Sequence, residues 1–292
     1  HFNSESDIVL GNSQKESIKK IRKMLIWSLY QRKIQSIDIL QLGKNRENFM
    51  DLEKYKGYLI DLDGTMYKGK IKIPAAKRFI ERLQEKDIPF LFLTNNSTQT
   101  PEAVVENLGM NFDIHVGVEN VYTTALATAD YVADLDENKR KVYAIGELGL
   151  KQALMDKGFR FEEVTPDYVV VGLDYDVTYH KFELATLAIK RGAKFIGTNP
   201  DTNLPNERGL VPGAGSVIAL VERATQQVAT YVGKPEKIIM EKALKKMNMK
   251  ADDVIMVGDN YNTDIKAGIA SDIDTLLVYT GVSTREDVAK EK

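Results

Sequence analysis

From residue 57 onward, short apolar runs rich in branched and aromatic residues alternate with longer stretches of helical patterning. Strands are expected at 57–61, in "PFLFLTNNS" (89–97), "KVYAIG" (141–146), "YVVVGLD" (168–174), "AKFIGTN" (193–199), "ATYVGK" (229–234), "DVIMVGD" (253–259) and "TLLVYTG" (275–281). Helices are expected between nearly all of them, near 74–86 behind Pro74, from Pro101, and over 119–133. Runs that are apolar throughout, rather than at alternate positions, mark strands covered on both faces. The chain is therefore expected to be α/β, with a Rossmann-like, doubly wound parallel sheet.

In such sheets ligands bind beyond the carboxyl ends of the strands, so the residues following each strand carry the functional information. They are Asp61 and Asp63, Thr94-Asn95-Asn96, Lys234 and Asp259. In "KGYLIDLDGTMYKG" (56–69) the two aspartates lie two positions apart and can address one small volume. Like charges so placed either split their pKa values or share a cation. Each set alone has a plain structural reading. Asn and Thr form turns, Lys234 could be a surface lysine before a helix, and Asp264 could favour a helix N-terminus. Together, at successive strand ends, they fit one site.

Composition narrows the chemistry. A 292-residue chain, 43% hydrophobic and 28% charged, can build one large or two modest domains. A net charge of −2 gives no field for capturing nucleic acid or an acidic membrane. The absence of cysteine excludes disulfides, thiolate nucleophiles and cysteine-bound metals. The scattered His1, His115 and His180 argue against a Ser-His triad or a histidine-rich metal site. Carboxylates, lysine, hydroxyls and backbone must do the work. No apolar stretch approaches the ~20 residues of a membrane span. Met24–Tyr30 follows basic residues as a signal peptide would, but Gln31, Arg32 and Lys33 come next, with no small-residue cleavage site. A cytoplasmic protein is expected. Ile18, Ile21, Leu25 and Leu29 share one face of an expected amphipathic helix over 15–31, within an accessory extension (1–49).

The strand-end residues resemble the four motifs of the haloacid dehalogenase superfamily. Asp61-Leu62-Asp63-Gly64-Thr65 is similar to the first, Thr94-Asn95 to the second, Lys234 to the third, and Gly258-Asp259 with Asp264 to the fourth. The forms "DLDGTMYKG", "LTNNS", "GTNPD", "GLVPGAG", "GKP" and "VGDNYNTDI" resemble the NagD-like phosphatase branch over residues 55–281. The resemblance implies a phosphatase of small phosphorylated metabolites. It makes Asp61 the nucleophile that becomes an aspartyl-phosphate, and Asp63 the general acid and base. Thr94 and the Asn95 amide would bind phosphate oxygens, and Lys234 would neutralise charge. Mg²⁺ would sit on Asp61, Asp259 and the backbone carbonyl of Asp63, while Asp264 would hold Lys234 or a metal-bound water. Members of the branch usually begin near the first motif and continue past the point matching Lys292. Met50 is thus a natural start, and a closing element is expected beyond the given C-terminus. The charges fit this chemistry, because a phosphomonoester dianion repels an attacking carboxylate and needs positive charge and fixed donors.

The segment between the second and third motifs is far longer than a crossover needs and carries its own strands and helices. An inserted α/β cap is expected over 137–227, with a core of 50–136 and 228–292. Asp174, Asn199, Asp201, Gly213 and Gly215 are the candidate substrate contacts there, against a plain reading as turn and packing residues. Other functions share these motifs. Phosphoryl transfer to an acceptor other than water uses all of them, and a receiver-like phospho-acceptor domain uses most. Asp63 and the cap argue against the receiver, and the full set of reactive groups argues against an idle binding protein. The expected partner is the substrate. A homodimer is left open.

Overall fold

The structure, a computed structural model, describes residues 54–290; the helix expected over 15–31 and the extension to residue 49 lie outside them. Its strands, in chain order, are β1 (Gly57–Ile60), β2 (Tyr67–Lys68), β3 (Ile71–Lys72), β4 (Phe90–Thr94), β5 (Val121–Thr123), β6 (Lys141–Ile145), β7 (Arg160–Phe161), β8 (Tyr168–Val171), β9 (Lys194–Gly197), β10 (Asn203–Asn206), β11 (Gly209–Pro212), β12 (Thr230–Tyr231), β13 (Val254–Gly258) and β14 (Asp274–Leu277).

Every residue of β1, β4 and β13 is buried, as a sheet covered on both faces requires. Successive side chains go to opposite faces. Tyr58, Ile60, Phe90, Phe92, Ile255 and Val257 pack with Ile80, Leu83 and Leu108 on one side. Leu59, Leu91, Leu93 and Met256 pack with Tyr122, Ile239 and Met240 on the other. Each such large side chain stabilises the fold by roughly 1.5–3 kcal/mol. The strands run in the order β14-β13-β1-β4-β5, all pairs parallel, with Ile60 opposite Val257 and Phe92. The chain builds outward from β1 through β4 to β5, then returns to the other side of β1 as β13 and β14. That reversal opens a crevice at the carboxyl ends of β1 and β13. Asp61 and Asp259 are the next residues.

Three core helices start at a proline or at a capping threonine. Pro74 opens the helix Pro74–Glu85, which buries Ala76, Ile80 and Leu83. Thr100 caps Pro101–Phe112 by accepting from the Ala103 N–H, and Thr123 caps Thr124–Leu135 by accepting from the Leu126 N–H. The helix expected from residue 119 thus begins at Thr124, and Val121–Thr123 forms β5 instead. Three residues are too few to display a period.

A second parallel sheet, β12-β9-β8-β6-β7, is built from the inserted cap. Its β12 lies beyond residue 227, in a stretch assigned to the core from sequence. Thr230 and Tyr231 pair with Ile196 and Gly197, so we propose that the chain re-enters the core after Tyr231. One apolar cluster runs from Leu59 and Leu91 through the helix Thr124–Leu135 to Val142, Tyr168 and Ile196, and joins the two sheets. Two antiparallel hairpins, β2-β3 on the core and β10-β11 on the cap, touch through the exposed pair Lys70–Glu207. No helix among the described residues is long and apolar enough to cross a membrane.

Candidate active site

Lys234 is the centre of the site. It is 1% exposed, and each of its ammonium hydrogens has a partner: Asp61 Oδ1 at 2.6 Å, Asp264 Oδ1 at 2.7 Å and the Leu93 carbonyl at 2.7 Å. Burial works to lower its pKa, but Asp264 and Asp61 outweigh that and hold the ammonium above its ordinary range. Lys234 is therefore a fixed positive charge. The lysine read from sequence as a possible surface residue is buried because Asp61 just after β1, Leu93 on β4 and Asp264 in the turn after β13 converge on it.

The carboxylates around it feel the same burial. Desolvation pushes Asp61 up to about 6; Lys234 works against the rise and Asp259 adds to it. Desolvation also takes Asp264 to about 6, again opposed by Lys234. Asp259 is raised by burial and by the charge of Asp264. Oxygens of Asp61, Asp259 and Asp264 all lie within 4.8 Å of one another. Three carboxylates against one ammonium leave an excess of buried negative charge, and an all-oxygen set of this kind fits a hard divalent cation.

Thr65 of the first motif and several groups that escaped the sequence reading brace this side of the site. The Thr65 hydroxyl donates to Asp259 Oδ1 at 3.1 Å, and the Val282 N–H donates to Asp259 Oδ2 at 2.7 Å. The Thr280 hydroxyl donates to the Gly64 carbonyl at 2.5 Å. Ser283 donates its N–H to the Asp259 carbonyl and accepts from the Tyr261 N–H. Thr280, Val282 and Ser283 follow β14, so the strand-end rule that found Asp259 also points to them. Gly64 has φ of 92°, and a Cβ there would run into the Asp259 carboxylate.

Asp63 is exposed and accepts from the Gly69 N–H at 3.2 Å, in the turn that joins β2 to β3. Stacking of Tyr67 on Phe112, centroids 4.1 Å apart, anchors that hairpin. Thr94 is buried at the end of β4, where its hydroxyl accepts from the Asn96 N–H. The Asn95 side chain is already engaged. Its Oδ1 accepts from the Lys234 N–H at 2.9 Å, and its Nδ2 donates to the Lys234 carbonyl at 2.8 Å and to Asp201 Oδ2 at 2.7 Å. Any phosphate contact from Asn95 falls to its backbone.

The cap candidates separate into groups. Asn199 and Asp201 reach the site through Asn95, and Asn199 Nδ2 donates to Asp201 Oδ2 at 2.5 Å. Gly213 and Gly215 pack at a helix start. They let the helix Ala214–Thr225 start directly against the Pro200–Asp201 backbone, where a Cβ at Gly215 would meet the Pro200 carbonyl. Asp174 is buried and paired with Lys181 at 2.9 Å, and it also accepts from the Asp176 N–H. One of its oxygens thus meets the loop after β8 and the other the helix Tyr179–Lys190.

Comparison with known proteins agrees with this geometry. A family model described as haloacid dehalogenase-like hydrolase matches residues 58–160, and one described as HAD-hydrolase-like matches 231–292. The 5'-nucleotidase YutF of Bacillus subtilis is 47% identical over 240 residues, covering 82% of this chain and 93% of its own. An acid sugar phosphatase of Staphylococcus aureus is 49% identical over 238 residues, with coverages of 81% and 91%. The crystal structure of a double mutant of the thermostable NPPase from Geobacillus stearothermophilus has a TM-score of 0.76 at 55% identity, covering 80% of this chain and 92% of its own. The 4-nitrophenylphosphatase of Thermotoga maritima has a TM-score of 0.77 at 32% identity, with coverages of 82% and 91%.

Proposed function

Because this chain belongs to the haloacid dehalogenase-like hydrolases, in their NagD-like branch of phosphatases, we propose that it hydrolyses phosphomonoesters of small metabolites through Asp61. The candidate substrates are a nucleoside monophosphate, a sugar phosphate or a phosphoglycolate-type acid. The first two accord with the names of the relatives, a 5'-nucleotidase and acid sugar phosphatases. The observation that carries the reading is Lys234, buried and bonded at once to Asp61 and Asp264.

In the proposed cycle an Asp61 carboxylate oxygen attacks phosphorus and the ester P–O bond breaks. The leaving oxygen takes the proton of Asp63, and the phosphoryl group remains on Asp61. Asp63 then accepts a proton from water as that water attacks phosphorus. Inorganic phosphate leaves and Asp61 is restored. Lys234 offsets the charge of nucleophile and phosphate throughout, and Thr94 with the backbone of Asn95 supports the phosphate oxygens. Asp61 and Asp259, with the Asp63 carbonyl, would hold Mg²⁺, which supplies the remaining positive charge against the dianion.

The test is hydrolysis of an aryl phosphate before and after chelation. Activity should vanish with chelator and return with Mg²⁺, and Ca²⁺ should restore little because its looser geometry misplaces nucleophile and phosphate. Full activity after exhaustive chelation would contradict the metal assignment.

A further inference from the structure

Asn95 holds Lys234 by both backbone groups, and Asp201 takes the last donor of Asn95. An asparagine side chain offers one acceptor oxygen and two N–H donors. Here the oxygen meets the Lys234 N–H, one hydrogen meets the Lys234 carbonyl, and the other meets Asp201 Oδ2. Flipping the amide would set its oxygen against two acceptors, so the network fixes one orientation. Asp201 is itself held from the cap side. Asn199, 5% exposed, donates to the same Oδ2, while the Thr198 hydroxyl donates to Asn199 Oδ1 at 2.7 Å. The Thr198 carbonyl accepts from the Gly233 N–H at 2.7 Å and from the Thr124 hydroxyl at 2.9 Å. The loop after β9 is thus stitched to Asn95, which grips Lys234, and to Gly233, which precedes it.

We infer that Asp201 is a positioning residue for Lys234, acting through Asn95, and not a contact that selects the substrate. This rests on the function proposed above. Asp201 lies on the cap and Asn95 on the core, so their hydrogen bond forms only when the loop after β9 is seated against the core. The seated cap then fixes the backbone from which Lys234 reaches Asp61. Every substrate shares that lysine, so every substrate should feel the loss of Asp201 alike.

The experiment is a double-mutant cycle read on three substrates: an aryl phosphate, a nucleoside monophosphate and a sugar phosphate. Asp201→Ala should lower kcat by about tenfold to 100-fold on all three, the range for losing a group that orients a reactive one, with KM little changed. In an Asn95→Ala background the same substitution should add nothing, because its route to Lys234 is already cut. Asp201→Asn keeps an acceptor oxygen and should recover most of the rate. Substrate-dependent losses, a loss confined to KM, or multiplicative losses in the double variant would overturn the inference. So would an Asp201→Asn variant as slow as Asp201→Ala, since that would make charge the requirement. If Asp201→Ala fails to fold by circular dichroism, Asp201→Ser takes its place, with the Asn rescue read as before. The cycle stays readable even if Asp61→Asn retains turnover, so failure of the covalent mechanism and failure of the positioning role are separate results.

Discussion

Burial accounts for much of the chemistry at the residue scale. Asp61 and Asp264, pushed up to about 6, bind protons in the folded protein at pH values where the unfolded chain has lost them. Their contribution to stability is therefore greatest below about pH 4 and falls as pH rises toward about 6, in the absence of a cation. Protons and a divalent ion compete for the same oxygens. Adding Mg²⁺ should accordingly raise Tm clearly at pH 7 and much less at pH 5; thermal unfolding at the two pH values measures this, and an equal gain at both would contradict it. Asp63 differs, being exposed on the hairpin side of the site. Asp63→Asn should slow alkyl phosphate hydrolysis by about 10²–10⁴-fold, the range for a lost general acid. The loss should be smaller for aryl phosphates, whose leaving group needs little protonation. Equal losses on both would remove Asp63 from that role. The acids and the lysine were legible because each follows an apolar run. The grip of Asn95 on Lys234 was not, since those residues stand 139 positions apart and nothing local records their meeting.

At the scale of elements, legibility followed length and coverage. Strands β1, β4, β6, β8 and β13 carry four or five residues, mostly buried, and stand out as apolar runs. The two-residue β7 and β12 have no period to show. The β10-β11 hairpin is largely exposed and includes Pro205 and Pro212, which read as breakers. Gly213 and Gly215, just after it, lie against the backbone of residues 200–203. Gly215→Ala would drive a methyl group into the Pro200 carbonyl. It should cost about 1–3 kcal/mol as overpacking, seen in urea unfolding, and should lower kcat together with stability because the Asp201 loop moves. A variant as stable and as active as the parent would show that this approach has slack.

The whole molecule divides the labour between two parallel sheets. The core brings Asp61, Thr94, Asp259 and Asp264 to the ends of adjacent strands, while the cap supplies Asn199 and Asp201 to the segment that carries Lys234. The shared apolar layer around the helix Thr124–Leu135 sets the two sheets against each other, and the polar network at their junction turns that packing into a position for one ammonium group. Sequence alternation gave away both sheets. It could not show which cap residues face substrate and which face the core, because both kinds sit at strand ends. The proposed catalytic cycle depends on Asp61 as the group that takes the phosphoryl. The most direct measurement is peptide mass spectrometry on enzyme quenched in acid during turnover of an aryl phosphate. The peptide containing residues 57–68 should carry one phosphoryl group, assigned to Asp61 by fragmentation, and Asp61→Asn should show neither adduct nor turnover. A phosphoryl group on another residue, or substantial hydrolysis by Asp61→Asn after deamidation is excluded, would contradict it.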